Sequence, residues 1–202
     1  MQPGIGVFSH ERFQIGSGFL FRLGLKTWFA TAAHVPTGDP EFWRFQDWPT
    51  SITLVFDDQR AGRIDLFDAG RRNLFKIPYH PNNQSFSDVL LLDYSEFLAS
   101  YPTKIYDLSS TQPTDLVGHQ ATLFGFPEDG SRKRPYWPPH SAKGKITGLV
   151  GDKLLGSMSV RLGHSGGPVV DEKGQAMGMA IGSDDDIAAI VPWTILRMTA
   201  LS

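Results

Sequence analysis

Gly163-His164-Ser165-Gly166-Gly167-Pro168 sets one small polar residue inside a glycine-rich turn, and the apolar run Pro168-Val169-Val170 starts at its end. Glycine reaches backbone conformations that other residues avoid, so Gly166 and Gly167 let the chain turn sharply behind Ser165. Working outward, a polar residue at the edge of a short apolar run recurs. Thr31-Ala32-Ala33-His34 ends the run Thr27-Trp28-Phe29-Ala30-Thr31, and Asp88 stands ahead of Val89-Leu90-Leu91-Leu92.

The rest of the chain repeats the pattern. Gly18-Phe19-Leu20-Phe21-Arg22-Leu23, Ile52-Thr53-Leu54-Val55-Phe56, Ala121-Thr122-Leu123-Phe124-Gly125-Phe126, Lys145-Ile146-Thr147-Gly148-Leu149-Val150 and Ile187-Ala188-Ala189-Ile190-Val191 are short β-branched and aromatic runs. The 21 glycines and 14 prolines punctuate them. Many short strands with frequent turns predict an all-β sandwich or barrel. No helical period shows until Pro192-Trp193-Thr194-Ile195-Leu196-Arg197-Met198, which predicts a short C-terminal helix with Pro192 in its first turn. The polar, turn-rich stretch Ala99 to Pro113 holds no apolar run. It predicts a joint between residues 1–100, carrying His34 and Asp88, and residues 101–202, carrying Ser165. Two long irregular loops are expected: Pro36 to Thr50, with Trp43 and Trp48, and Pro127 to Gly144, with Arg132-Lys133-Arg134 and Pro138-Pro139.

With 202 residues, 41% of them hydrophobic, the chain can bury a sizeable core. A net charge of −2 gives no global field that argues for nucleic acid or for a membrane surface. The absence of cysteine excludes disulfides, cysteine-based metal sites and thiol catalysis, and leans toward a reducing compartment. The first residues lack a basic segment followed by a long apolar run, so neither a signal peptide nor a membrane span is expected, and a cytoplasmic location is the default.

A serine hydroxyl is a poor nucleophile at neutral pH. It needs a base within hydrogen-bond reach, and the base needs a third group to fix its tautomer. His34 as general base and then acid, Asp88 as the orienting carboxylate and Ser165 as nucleophile satisfy that need in chain order His, Asp, Ser. Asp93 is the rival to Asp88, five residues on. The N–H groups of Gly163 and Ser165 are the expected donors to a developing oxyanion. No metal or organic cofactor is required.

Taken together, Thr31-Ala32-Ala33-His34, Asp88-Val89-Leu90-Leu91 and Gly163 to Pro168 resemble the trypsin/chymotrypsin-like serine peptidases. The cysteine-free form and Gly16-Ser17-Gly18-Phe19-Leu20 ahead of the histidine look most like their bacterial HtrA-type relatives. The resemblance runs from about Gly16 to Pro192. It implies two perpendicular six-stranded antiparallel β-barrels, an active site in the cleft between them, and a serine endopeptidase acting on proteins or peptides through an acyl-enzyme.

The chain departs from that family in instructive places. Secreted trypsins carry an aspartate before the nucleophile, which pairs with a newly cleaved N-terminus. His164 stands there instead, so activation by N-terminal processing is not expected; the oxyanion turn must be ordered by its own packing, a partner or substrate. No PDZ-like extension is expected after the second barrel. By family position, Ser159 lies at the base of the primary pocket, and Ala180-Ile181-Gly182 lies along its wall, where substrate backbone pairs as an added strand. A neutral Ser159 argues for an apolar or small substrate side chain, whereas Ser183-Asp184-Asp185-Asp186 argues for Arg or Lys. The two cues disagree, with a slight lean to basic.

Other features have plainer readings. His164 is expected to point to solvent. Ser183 to Asp186 reads first as a solvated turn, with a calcium site a distant second because the spacing is not that of a calcium loop. His10, His80, His119 and His140 show no metal-ligand spacing. Arg132-Lys133-Arg134 with Tyr136 and Trp137 is too small a basic cluster for nucleic acid, although a basic preference would make it a self-cleavage site. An unrestrained peptidase inside a cell implies control by a partner protein or by oligomerisation. The competing readings are a silent protease-fold scaffold and a serine esterase.

Overall fold

The computed structural model of the chain describes residues 4–8, 14–38, 41–56, 60–80, 84–95, 103–109, 115–127, 139–184 and 187–202. His10, Arg132-Lys133-Arg134, Tyr136, Trp137, Asp185 and Asp186 lie outside the described residues.

Two β-systems follow one another along the chain. The first contains β1 (Ile5–Phe8), β2 (Gln14–Leu23), β3 (Lys26–Thr31), β4 (Ser51–Val55), β5 (Ala61–Asp65), β6 (Phe75–Lys76), β9 (Leu90–Asp93) and β10 (Ile105–Asp107). It is a curled sheet in the order β5-β4-β1-β2-β3-β9-β6, with β10 added to β2. Tyr79–His80 (β7) and Ser85–Phe86 (β8) make a separate hairpin. The second system is a closed six-stranded barrel of β11 (Gln120–Gly125), β12 (His140–Val150), β13 (Lys153–Gly156), β16 (Ile187–Pro192), β15 (Ala176–Asp184) and β14 (Pro168–Val170). One helix, α1 (Trp193–Leu201), follows. This is the chymotrypsin-like all-β architecture with a C-terminal helix.

The strand patterns explain the layering. In β3, Thr27 through Thr31 are all buried, as an interior strand covered on both faces requires. The barrel strands β11 and β13 alternate buried and less buried residues, the period of a sheet with one face on the core. Phe19, Phe21 and Phe29 are fully buried in the first system, and Leu123, Val169 and Ile190 in the barrel.

Three local expectations change. The stretch from Ala99 to Pro113 contains a strand: Ile105–Asp107 pairs in parallel with Leu20–Arg22, continuing the edge of β2 whose first half is taken by β1. The first sheet therefore runs past residue 100. Tyr106 is what a search for apolar runs overlooks; its ring packs edge-on against Phe19 at 5.6 Å. Pro192 is the N-cap of α1, extended at φ −68° and ψ 153°, and not part of the first turn. The loop carrying Trp48 is not irregular throughout: a short 3-10 turn, Phe45–Asp47, sets Trp48 against Phe75 with ring centroids 4.7 Å apart.

Candidate active site

β3 and β9 pair antiparallel with Thr31 opposite Leu90. The residues just beyond the end of one strand and just before the start of the other must then meet at the same end of the sheet. Those residues are His34 and Asp88. His34 is carried on a tight turn in which its carbonyl accepts from the Gly38 N–H (2.8 Å). The Asp88 carboxylate holds it at two points: Oδ2 lies 2.7 Å from Nδ1, and Oδ1 accepts the His34 backbone N–H at 3.0 Å. A proton on Nδ1 directed at the carboxylate leaves the Nε2 lone pair available as a base. The two side chains are only 24% and 17% exposed, so their attraction is less screened than at the surface. Asp93, the rival carboxylate, sits at the far end of β9 and is engaged by Lys26 Nζ at 3.0 Å and by the Ser95 hydroxyl at 2.7 Å.

The Ser165 turn is held from both β-systems. The Gly166 N–H donates to the Ala180 carbonyl (2.7 Å), the Ala180 N–H returns to Gly167 (2.9 Å), and the Gly167 N–H donates to the His164 carbonyl (2.9 Å). From the first system, the Ser17 N–H donates to the Ser165 carbonyl at 2.8 Å, and Ser17 Oγ donates to the Gly163 carbonyl at 2.7 Å. His164 spends its N–H on the Arg161 carbonyl (3.0 Å). Among the described residues, the N–H groups of Gly163 and Ser165 have no acceptor, although the amides between and after them do. Gly163 and Gly166 have φ of 89° and 87°. At Gly166 a Cβ would collide with the Ser17 carbonyl and the Thr31 hydroxyl and come within 3.0 Å of the Ala32 nitrogen. Ser165, partly exposed, is thereby brought against the strand end that carries His34. Its hydroxyl makes no hydrogen bond to the imidazole among the described residues.

His164 does not face solvent, as the sequence reading expects; it is 0% exposed. Its ring stacks on His140, with centroids 5.2 Å apart and planes 22° apart. Gly125 makes room for it: a Cβ there would lie 2.9 Å from His164 Cδ2. His164 Nδ1 accepts the Arg161 N–H at 3.0 Å, so the ring proton belongs on Nε2, which is buried without a hydrogen-bond partner among the described residues. Burial, and then the nearby His140 and Arg161, push its pKa from 6.5 down to about 4. The ring is neutral at physiological pH.

The expected substrate residues divide. Ser159 is exposed, Ile181 and Gly182 are half-buried and Ala180 is fully buried, with both backbone groups of Ala180 spent on the Ser165 turn. β14 pairs with β15 only as far as Pro168 opposite Met179, while β15 continues to Asp184 against β16. Among the described residues, no strand pairs with the other side of β15 from Ile181 onward. No group of three or more potential metal ligands occurs among the described residues, and no helix there is long and apolar enough to cross a membrane.

A family profile described as a trypsin-like peptidase domain matches residues 16–179. The chain belongs to the trypsin-like peptidase family. A serine endoprotease from Yersinia pestis superimposes with a TM-score of 0.64 at 17% identity, over 98% of this chain and 61% of that one. This trypsin-like chain thus spans less than two thirds of that protease. The inactive form of a serine-to-alanine mutant of Rv3671c from M. tuberculosis H37Rv gives 0.59 at 17% identity, over 98% of this chain and 85% of the other. The apo protease domain of MamO from Magnetospirillum magneticum gives 0.59 at 15% identity, over 97% and 94%. No curated protein sequence matches the chain.

Sequence reasoning overlooked Ser17, which it used only within the run Gly16 to Leu20. The signal was present: a lone hydroxyl beside a fully apolar strand needs a buried partner.

Proposed function

We propose that this trypsin-like peptidase cuts peptide bonds with Ser165 as nucleophile, His34 as general base and acid, and Asp88 as the carboxylate that orients His34. The observation that carries the reading is the distribution of amide bonds in the nucleophile turn. Within the turn the N–H groups of His164, Gly166 and Gly167 are used, and among the described residues those of Gly163 and Ser165 are left over, the pair that a tetrahedral intermediate needs. Ser165 Oγ attacks the peptide carbonyl as its proton passes to His34 Nε2. The imidazolium, held by Asp88, then protonates the leaving amine, and water reverses the sequence on the acyl-enzyme.

Substrate backbone is read as adding along the open side of Ile181 and Gly182, with Ser159 near its primary side chain. The Ser183–Asp184 end of that strand favours a basic residue, and neutral Ser159 a small or apolar one. Control by a partner protein or by oligomerisation, and a reducing cytoplasmic setting suggested by the lack of cysteine, complete the reading.

A silent scaffold is favoured by one feature, the missing Ser165–His34 hydrogen bond, although such bonds often tighten only with substrate. A fluorophosphonate probe separates the two. Labelling at Ser165, lost in Ser165→Ala, together with peptide hydrolysis, is the expected result. An unlabelled folded protein sinks the enzyme reading, and turnover of esters without peptides replaces peptidase with esterase.

A further inference from the structure

We propose that Ser17 is a positioning residue of this site: its hydroxyl locks the Gly163–His164 peptide, the plane that follows the Gly163 N–H, and so anchors the turn that presents this N–H without any cleaved N-terminus. The inference rests on the reading of Ser165 as nucleophile.

Ser17 is 0% exposed, and all of its polar groups are committed. Its hydroxyl accepts the Phe126 N–H at 2.9 Å and donates to the Gly163 carbonyl at 2.7 Å. Because the Phe126 N–H supplies a proton from one side, the hydroxyl hydrogen is directed to Gly163. The Ser17 N–H donates to the Ser165 carbonyl at 2.8 Å, and the Ser17 carbonyl accepts the Thr31 hydroxyl at 2.7 Å. One residue of β2 thus holds the carbonyls on both sides of His164. It is also bonded to β3, whose next turn carries His34.

The need for such a lock follows from Gly163 itself. At φ 89° and with no Cβ, rotation about this residue is cheap. The Gly163 N–H belongs to the preceding Leu162–Gly163 peptide; once the Gly163–His164 plane is released, Gly163 is free to turn that N–H away and to bring the Leu162 carbonyl toward the place where negative charge develops. The Ser17 bond on the carbonyl and the Arg161 bond on the His164 N–H oppose that rotation from the two ends of the same peptide plane. Trypsins solve the same problem with an aspartate and a new N-terminus; here a strand serine is the anchor.

The test compares wild type, Ser17→Ala, Ser17→Thr and Ser165→Ala. Ser17→Ala is expected to lower kcat per titrated site by about tenfold to a hundredfold, less than the roughly 10²–10³ lost when a donor itself is removed. KM is expected to stay within about twofold, because the lost interaction acts in the transition state. Backbone amide exchange across residues 161–167 should quicken in the same variant. Ser17→Thr, which restores a hydroxyl, should recover both. If Ser17→Ala does not fold, Ser17→Cys, of similar size and a weaker donor, is read in the same way. Wild-type kcat in the folded variant, or unchanged exchange at 161–167, overturns the proposal. If wild type itself neither hydrolyses peptides nor labels at Ser165, the peptidase reading fails, and the exchange data alone decide whether Ser17 holds the turn.

Discussion

The backbone N–H of Arg161 donates to His164 Nδ1 across 3.0 Å, and the His164 N–H answers by donating to the Arg161 carbonyl at 3.0 Å. This reciprocal pair closes the loop leading into the Ser165 turn with a neutral imidazole, where trypsins place an aspartate.

Acid should therefore loosen the turn. The His164 pKa falls from 6.5 to about 4 on folding, so between those values the unfolded chain binds the proton and the folded one does not. Stability is full above pH 6.5 and declines as pH falls toward 4, by roughly 3 kcal/mol at most. His164→Asn keeps an acceptor for Arg161 and removes the titration. Urea unfolding at pH 7 and pH 4.5 should show a smaller loss in the variant; equal losses would remove His164 as the cause.

Asp88→Asn should keep the fold and cripple the chemistry. The amide cannot hold the same tautomer of His34, and the corresponding change in the chymotrypsin template costs about 10⁴ in kcat. Steady-state kinetics on a peptide substrate measures this, with Asp93→Asn as control. Because Asp93 engages Lys26 on an exposed surface, its loss should leave kcat unchanged and move stability by no more than about 1 kcal/mol.

Gly166→Ala should be among the most damaging small changes. The added methyl meets the Ser17 carbonyl and the Thr31 hydroxyl at a φ of 87°, and neither neighbour can move without giving up its own bond. A loss of about 3 kcal/mol or more is expected, read as a lowered urea midpoint. Gly24→Ala, also at positive φ but with open space around it, should cost about 1 kcal/mol.

Gly182→Val tests the open side of β15. A Cβ there meets nothing within 4 Å in the free protein, and although the φ of 153° strains a valine and lowers stability, the side chain would stand beside an incoming strand. KM should rise by about tenfold, equivalent to roughly 1.4 kcal/mol of binding, while kcat changes little. An unchanged KM would place the substrate elsewhere.

Much of this was legible in the chain. Runs such as Thr27 to Thr31 and Val89 to Leu92 predict β3 and β9, and their pairing alone explains why His34 and Asp88 meet. What escaped reading depends on distant contacts. Nothing near His164 in sequence says that Gly125, some forty residues earlier, leaves space for its ring. Nothing near Ser17 says that its partners are Gly163 and Phe126. Ile105–Asp107 was hidden in another way: three residues give no periodicity, and only the free half of the β2 edge makes them a strand.

The Ser165 turn hangs between Ser17 and Ala180, two residues far apart in sequence. During synthesis the serine emerges long before β15 can reach it, so an unfinished polypeptide carries Ser165 without a shaped turn around it. On the peptidase reading, cutting capacity appears only once β15 has been made and has closed on the turn.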